Sequence, residues 1–316
     1  FGECISNEFI NIIGSQKISS ILELGGGDGS LAISILKYLK KKKSLPTQYI
    51  ILEISDSLIK YQQERIRKEF PNDYNIFKWV TTLEDIKING LVIANEFFDA
   101  LPTERFRINN SKLETLYIES NNQSFNYIWD ESSNDFANEL SKAKNNHNID
   151  FSDGYISELN LNNSKWIKAI DKCIDVGVLL VIDYGYASQE YFLHDRSDGT
   201  LVCIHKHKSN FDPLSNIGNQ DISSFVNFSH LKNLSLNTDL TVSGFLSQSS
   251  FLINLNILDI HQSKNYSADE AQIESNKLKN ILLPNTMGEL FKVLVMQKNI
   301  DVELKSTKEF NQMHKL

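Results

Sequence analysis

SILELGGGDGSLAISILKYLKKKK, Ser20 to Lys43, changes its hydrophobic period at a cluster of glycines, and that change decides the fold. The apolar run Ile21 to Leu24 reads as a strand that stops at Gly25, because Gly25, Gly26, Gly27 and Gly29 permit positive φ and leave no Cβ between backbone and ligand. From Ser30 onward Leu31, Ile35, Leu36 and Leu39 recur at helical spacing. Strand, glycine turn and helix form the first unit of a nucleotide-type site.

The glycine spacing selects among ligands. A dinucleotide fingerprint, G-x-G-x-x-G, needs its third glycine where this chain has Ser30. The pattern here is E-x-G-x-G-x-G, with Glu23, Gly25, Gly27 and Gly29. A carboxylate at that strand end suits a ligand bearing an ammonium group and lacking phosphate, such as S-adenosylmethionine, better than a diphosphate. The next apolar run, Tyr49 to Leu52, ends in Glu53, where an acid at the strand tip can accept the ribose hydroxyls. Ribose is common to both ligands, so Glu53 alone does not choose between them; Glu23 favours S-adenosylmethionine.

Composition narrows the class further. Over 316 residues, hydrophobic residues make up 41% and charged residues 23%, the balance of a globular chain with a sizeable core. A net charge of -8, from 32 basic and 40 acidic residues, argues against nucleic-acid and anionic-membrane binding and fits a basic or guanidinium-bearing partner. Cys4, Cys173 and Cys203 form no C-x-x-C pair, so a reducing compartment is expected and neither a disulfide framework nor a zinc site. His205 and His207, flanked by Lys206 and Lys208, make a poor cation site, and no metal is expected. The longest apolar run, Val178 to Ile182, is far too short to span a bilayer, so no membrane insertion is expected. The chain starts at Phe1, and any targeting peptide would lie upstream.

Further along, Phe1 to Gly14 reads as an amphipathic helix, and Leu58 to Phe70 as another, N-capped at Asp56-Ser57 and closed by Pro71. Ile76 to Leu83 and Gly90 to Asn95 read as strands three and four. NEFFDALPTERF, Asn95 to Phe106, then follows at a strand's carboxyl end, where open α/β sheets bind ligands. Asn95 is a candidate cofactor contact; Glu96 and Asp99 are candidate catalytic acids among aromatic neighbours. Leu113 to Ile118 and Phe125 to Trp129 suggest a β-hairpin turning at Asn121-Asn122, followed by a polar surface segment. Ser164 to Asp175 reads as a helix and Val178 to Asp183 as strand five. A long turn-rich stretch runs from Asp195 to Phe228, and within it Asp212 to Phe228 reads as an ordered lid over the substrate side of the cofactor, with Gln220 and Asp221 facing inward. Near the end, Asp239 to Val242 reads as a short strand, Ser267 to Leu283 as an amphipathic helix and Phe291 to Met296 as a closing strand; the tail after it is expected to fray. The expected architecture is one α/β domain over 1–316, Rossmann-like, with a seven-stranded, mostly parallel sheet and helices on both faces. It carries an insertion at 103–163 and a lid region at 187–228.

Several segments in order, ELGGGDGSL (23–31), ANEFFDALP (94–102), VIDYGY (181–186), DPLSNIGNQDISSFVNF (212–228) and MGELFKVLVM (287–296), resemble the MidA family, which includes mitochondrial complex I assembly methyltransferases and bacterial relatives. The resemblance runs from Phe1 to Met296. It implies a class I methyltransferase fold, S-adenosylmethionine as methyl donor and, for the mitochondrial members, dimethylation of an arginine in a respiratory-complex subunit. The compartment would be the cytoplasm of a bacterium, or the mitochondrial matrix if an upstream segment carries a targeting peptide. For an arginine acceptor, whose guanidinium stays protonated, carboxylates must orient the group and take up charge; Glu96 is the first choice, with Asp99 and Asp221 behind it. A methyltransferase for another nitrogen or oxygen acceptor, and a non-enzymatic assembly factor that holds the cofactor structurally, are the competing readings.

Overall fold

The computed structural model describes residues 1–316 apart from 14–17, 122–123, 145–147 and 207, so the hairpin-turn residue Asn122, His207 and the end of the first helix at Gly14 lie outside the described residues. In chain order the strands are β1 (Ser20–Leu24), β2 (Gln48–Leu52), β3 (Phe77–Val80), β4 (Ile88–Asn95), β5 (Glu104–Asn109), β6 (Lys112–Asn121), β7 (Ser124–Glu131), β8 (Ile156–Leu159) and β9 (Ile174–Tyr186). They continue with β10 (Val202–His205), β11 (Lys208–Asn210), β12 (Asp221–Ser223), β13 (Val226–Asn227), β14 (Thr241–Ser247) and β15 (Phe291–Lys298). The helices needed below are α1 (Gly2–Ile13), α2 (Ser30–Lys41), α3 (Asp56–Glu69), α4 (Asn134–Lys144) and α5 (Asn163–Cys173).

The chain divides into two compact units: Phe1–Phe97, Lys168–Asp183 and Thr238–Lys315 form the first, and Phe98–Ile167 with Tyr184–Asn237 the second. In the first, among the described residues, seven strands run in the order β14-β15-β9-β4-β1-β2-β3. In the second unit, β13 pairs in parallel with the last residues of β9, Gly185 and Tyr186. Pairing is parallel from β9 through β4, β1 and β2 to β3, and β15 runs antiparallel to β14. This is the mostly parallel sheet expected of the class. Its central strands are apolar without alternation, as strands covered on both faces must be: Leu91 to Ala94 and Val178 to Ile182 are fully buried. Each such aliphatic side chain contributes about 1.5–3 kcal/mol of burial.

Several boundaries differ from expectation. The α3 cap is Ser55, whose hydroxyl accepts from the Leu58 amide, so the cap sits one residue before Asp56. Strand β9 is longer than Val178 to Asp183 because Gly177 and Gly185 continue in extended backbone. Strand β14 runs from Thr241 to Ser247, starting after the expected Asp239 and continuing well past the expected end at Val242. The tail does not fray: Leu304 and Ser306 are buried, the Ser306 amide donates to Glu8 at 2.6 Å, and the Gln312 amide donates to the Phe245 carbonyl at 2.7 Å. Its anchors are single residues without periodicity.

The second unit contains the insertion, which is more than a hairpin. Strands β6 and β7 form the expected hairpin, but it belongs to an antiparallel sheet in the order β7-β6-β5-β8. Helix α4 packs Phe136 and Leu140 with Phe106, Leu159, Tyr191 and Phe192 in its core. The segment read as a polar surface stretch therefore supplies a helix and a strand. The stretch read as a lid is likewise ordered by a small sheet, β11-β10-β12.

Candidate functional site

Strand register brings the expected cofactor residues into one row. Leu24 stands opposite Leu52 on one side and Ala94 on the other. The next residue on each strand is Gly25, Glu53 and Asn95. Strand order reverses between β4 and β2 about β1, which makes this row the crevice where such sheets bind ligands.

The loop leaving β1 is shaped for close approach. Gly25, Gly27 and Gly29 have φ of 75°, 50° and 79°. A Cβ on Gly26 would meet Ile51 Cγ2 at 2.6 Å and Gln62 Nε2 at 2.9 Å, so this glycine is demanded by packing. A Cβ on Gly27 would meet nothing within 4 Å: the space beside it is open, and glycine there serves the backbone turn and whatever lies against it. That open cradle fits the adenosine-type ligand.

Glu53 is buried and already oriented. Its Oε1 accepts from the amides of Ile54 at 2.9 Å and Ser55 at 3.0 Å, and its Oε2 accepts from Gln62 Nε2 at 3.3 Å. Oε2 retains a lone pair for a hydroxyl donor, while Oε1 is committed to the backbone. The same Gln62 amide donates to the Gly27 carbonyl at 2.9 Å, and its oxygen accepts from Trp79 Nε1 at 2.8 Å. One fully buried side chain thus ties the glycine loop, the ribose-type acid and β3 together. Sequence reasoning missed it. The available signal was a glutamine at the buried spacing of α3, four residues before Ile66.

Glu23 lies inside the sheet and not at its rim. It is buried, Tyr49 donates a hydroxyl hydrogen bond to its Oε2 at 2.7 Å, and burial pushes its carboxyl up to about 8. In neutral solution it is a protonated acid that an approaching cation would ionise. Asp28 is paired with Arg65 at 2.5 Å, so the basic residue beside the loop is engaged before any phosphate could claim it.

At the end of β4, Glu96 is exposed and its backbone is left-handed, φ 49°, while its amide donates to the Ile182 carbonyl at 2.9 Å. A non-glycine residue there costs about 1–3 kcal/mol, strain that collects at functional positions. Asn95 is half-buried and its amide lies 3.4 Å from Glu96 Oε1. Asn95 and Glu96 belong to the first unit; Asp99, buried, belongs to the second.

The inward-facing reading of Gln220 and Asp221 needs correction. Asp221 is exposed on β12, opposite Ile204. Gln220 donates to the carbonyls of Asp212 at 3.0 Å and Pro213 at 2.9 Å, so it braces its own loop. The apolar anchors around the pair were legible, but which neighbours a polar side chain would choose was not.

Comparison with known proteins adds the following. Residues 4–246 match the profile of a family described as "Putative S-adenosyl-L-methionine-dependent methyltransferase". The chain is similar to the mitochondrial protein arginine methyltransferase NDUFAF7 homolog of Drosophila melanogaster, 25% identical over 70% of this chain and 54% of that protein. It is similar also to NDUFAF7 of Danio rerio, 24% identical over 88% of this chain and 68% of that protein. The chain thus spans about half to two thirds of the length of these relatives. Among solved structures, a protein from Burkholderia thailandensis bound to S-adenosyl-homocysteine is 25% identical with a TM-score of 0.92, over 100% of this chain and 81% of that one. A second structure from the same organism, 24% identical with a TM-score of 0.93 over 100% of this chain and 83% of that one, shares the fold.

Proposed function

From the premise that the chain belongs to the MidA-type family of S-adenosyl-L-methionine-dependent methyltransferases, we propose that it methylates an arginine side chain of a protein substrate. Gly25, Gly27, Gly29, Glu53 and Asn95 would hold the cofactor, with Glu23 beneath its amino-acid end. When bound, S-adenosylmethionine supplies an electrophilic methyl group on a sulfonium. The chain's own contribution is to position the acceptor nitrogen in line, at about 3 Å, and to balance charge.

Glu96 carries the acceptor side of this reading. It is the exposed acid held in strained backbone at the carboxyl end of β4, next to the row formed by Gly25, Glu53 and Asn95. A guanidinium has pKa above 12 and five donors in a planar fork, so a fixed carboxylate pairs with two of its nitrogens and leaves the third for attack. The proton that the guanidinium would lose on methylation would pass to the Glu96 carboxylate or to water. Asp99 remains an acid of the second unit, proposed to act on substrate and not on cofactor. The relatives named above support a protein acceptor and a mitochondrial setting; three free, buried cysteines support a reducing compartment.

The test is incubation of the purified chain with methyl-labelled cofactor and proteins of its host, followed by identification of the labelled residue. Label on arginine is the expected result. Label on another nitrogen or on oxygen would move the acceptor class, and binding without any S-adenosyl-homocysteine release would make the chain a cofactor-holding assembly factor.

A further inference from the structure

We propose that the second unit carries a docking groove for an extended protein segment in which a basic side chain sits among apolar ones. This deepens the reading of the acceptor as a protein and rests on it. A cavity of about 400 Å³ is lined by Leu116, Ile118 and Tyr127 of the hairpin and by Leu201, Pro213 and Ile222 of the β10–β12 region. Its hairpin wall is one face of the antiparallel pair: Leu116 stands opposite Trp129, Ile118 opposite Tyr127 and Ser120 opposite Phe125, and cross-strand partners share a face. Ile118 is 53% exposed, Phe125 49% and Tyr127 42%, and Ile222 across the groove is 43% exposed. Contiguous apolar exposure of this kind on a folded surface marks a binding site.

The walls are held apart by built contacts. Tyr127 donates its hydroxyl to Asp212 Oδ1 at 2.6 Å, joining hairpin to loop, and Gln220 fixes that loop from behind through Asp212 and Pro213. At the base of the hairpin the same face is closed by Arg107, which pairs with Glu114 at 2.6 Å and lies over the Trp129 ring. The groove is therefore preformed, which lowers the entropic cost of binding.

Charge identifies the occupant. The charged residues in the lining are Asp99, Glu104 and Arg105. Arg105 is engaged by Glu158 at 3.3 Å and Asp198 at 3.1 Å. Glu104 is exposed, and a carboxylate in these apolar surroundings favours a lysine or arginine flanked by aliphatic or aromatic residues and disfavours anionic lipid and nucleic acid.

Random peptides displayed on phage and selected against the full chain test this. Enriched peptides should carry one basic residue between apolar neighbours. By fluorescence anisotropy they should bind the wild type at least about tenfold more tightly than Ile118→Asp or Ile222→Asp, the scale of a lost apolar anchor. Replacing the basic residue of the peptide by Glu should weaken binding comparably. Both substitutions lie at exposed positions; if one variant melts early, the other decides. Selection of acidic or wholly polar peptides, or unchanged binding by a folded Ile118→Asp, overturns the groove. So does sedimentation showing a wild-type dimer that Ile118→Asp makes monomeric, since a second copy would then be the occupant. Binding is read without turnover, so a chain that methylates arginine yet selects no such peptide loses the groove and keeps the transferase; a chain that selects but does not methylate loses the transferase alone.

Discussion

The row at the end of β1, β2 and β4 and the groove of the second unit solve opposite problems. In the row, polar atoms are satisfied and fixed before any ligand arrives: Glu53 holds two backbone amides and Gln62, and Gln62 holds three segments at once. In the groove, the fixed atoms lie behind the surface and the surface itself is apolar and exposed. The first arrangement suits one invariant small molecule whose hydroxyls and amine must be met by directional bonds. The second suits a chain whose residues are recognised by area and a single charge. These are the demands of a methyl donor and of the protein acceptor proposed above.

The contrast is breakable, beginning with the largest effect. Glu96→Gln should lower turnover at least about a hundredfold, the scale of a lost positioning or proton-accepting group, and leave S-adenosyl-homocysteine affinity within about twofold by calorimetry. Loss of cofactor binding as well would move Glu96 into the cofactor row. The companion change Glu96→Gly should abolish turnover and yet raise stability by about 1 kcal/mol, because glycine adopts φ 49° without strain.

Next comes Glu23. Its folded carboxyl titrates at about 8, above the ordinary carboxyl value of 4.5, so between these two values the folded chain holds a proton that the unfolded chain has released. Stability must then fall as pH rises through that window and level off above it, by an amount on the order of 5 kcal/mol at about 1.4 kcal/mol per pH unit. Glu23→Gln should remove that slope in denaturant titrations run at successive pH values. A wild-type slope unchanged by the substitution would mean that other groups carry it.

Gln62→Leu should cost about 1–3 kcal/mol of stability, since the Trp79 N–H and the Gly27 carbonyl lose a buried partner, and should weaken cofactor binding through a loosened loop. The smallest effect belongs to the groove: Ile118→Asp should shift stability by no more than about 0.5 kcal/mol, as exposed positions do. A large destabilisation there would show that the hairpin face is core, and would erase the contrast.

What could be read without coordinates follows the same division. Strand β1, the glycine turn and α2 announce themselves because period, breaker and period lie within one short stretch, and Glu53 and Asn95 were placed by the rule that acids and amides at strand tips face the crevice. The strands β5, β8, β10 and β12 did not announce themselves. They are short, their exposed faces are polar or broken, and their partners are distant in sequence: Glu104 pairs beside Leu159 and Val202 beside Ser223. Gln62 was hidden for another reason. Its chemistry depends on Glu53, Gly27 and Trp79 converging on it, and no local pattern reports convergence. Asp221 was read as inward-facing from the apolar anchors on both sides of it, and such anchors do not fix the direction of a polar side chain between them.

The alignment of Leu24 with Leu52 and Ala94 has a consequence for how the chain is policed as it folds. In a strand a slip of one residue turns every side chain to the opposite face, so a β2 paired one place out would carry Glu53 away from Gln62 and from the glycine loop, although its apolar residues would still find cover on either side of the sheet. Hydrophobic burial alone discriminates weakly between such alignments in strands covered on both faces. A ligand that needs the whole row binds only the correct one, and stabilises it by RT ln(1 + [L]/Kd), about 2.7 kcal/mol at a hundredfold excess over Kd. Bound methyl donor would thereby favour the correct strand alignment over a slipped one.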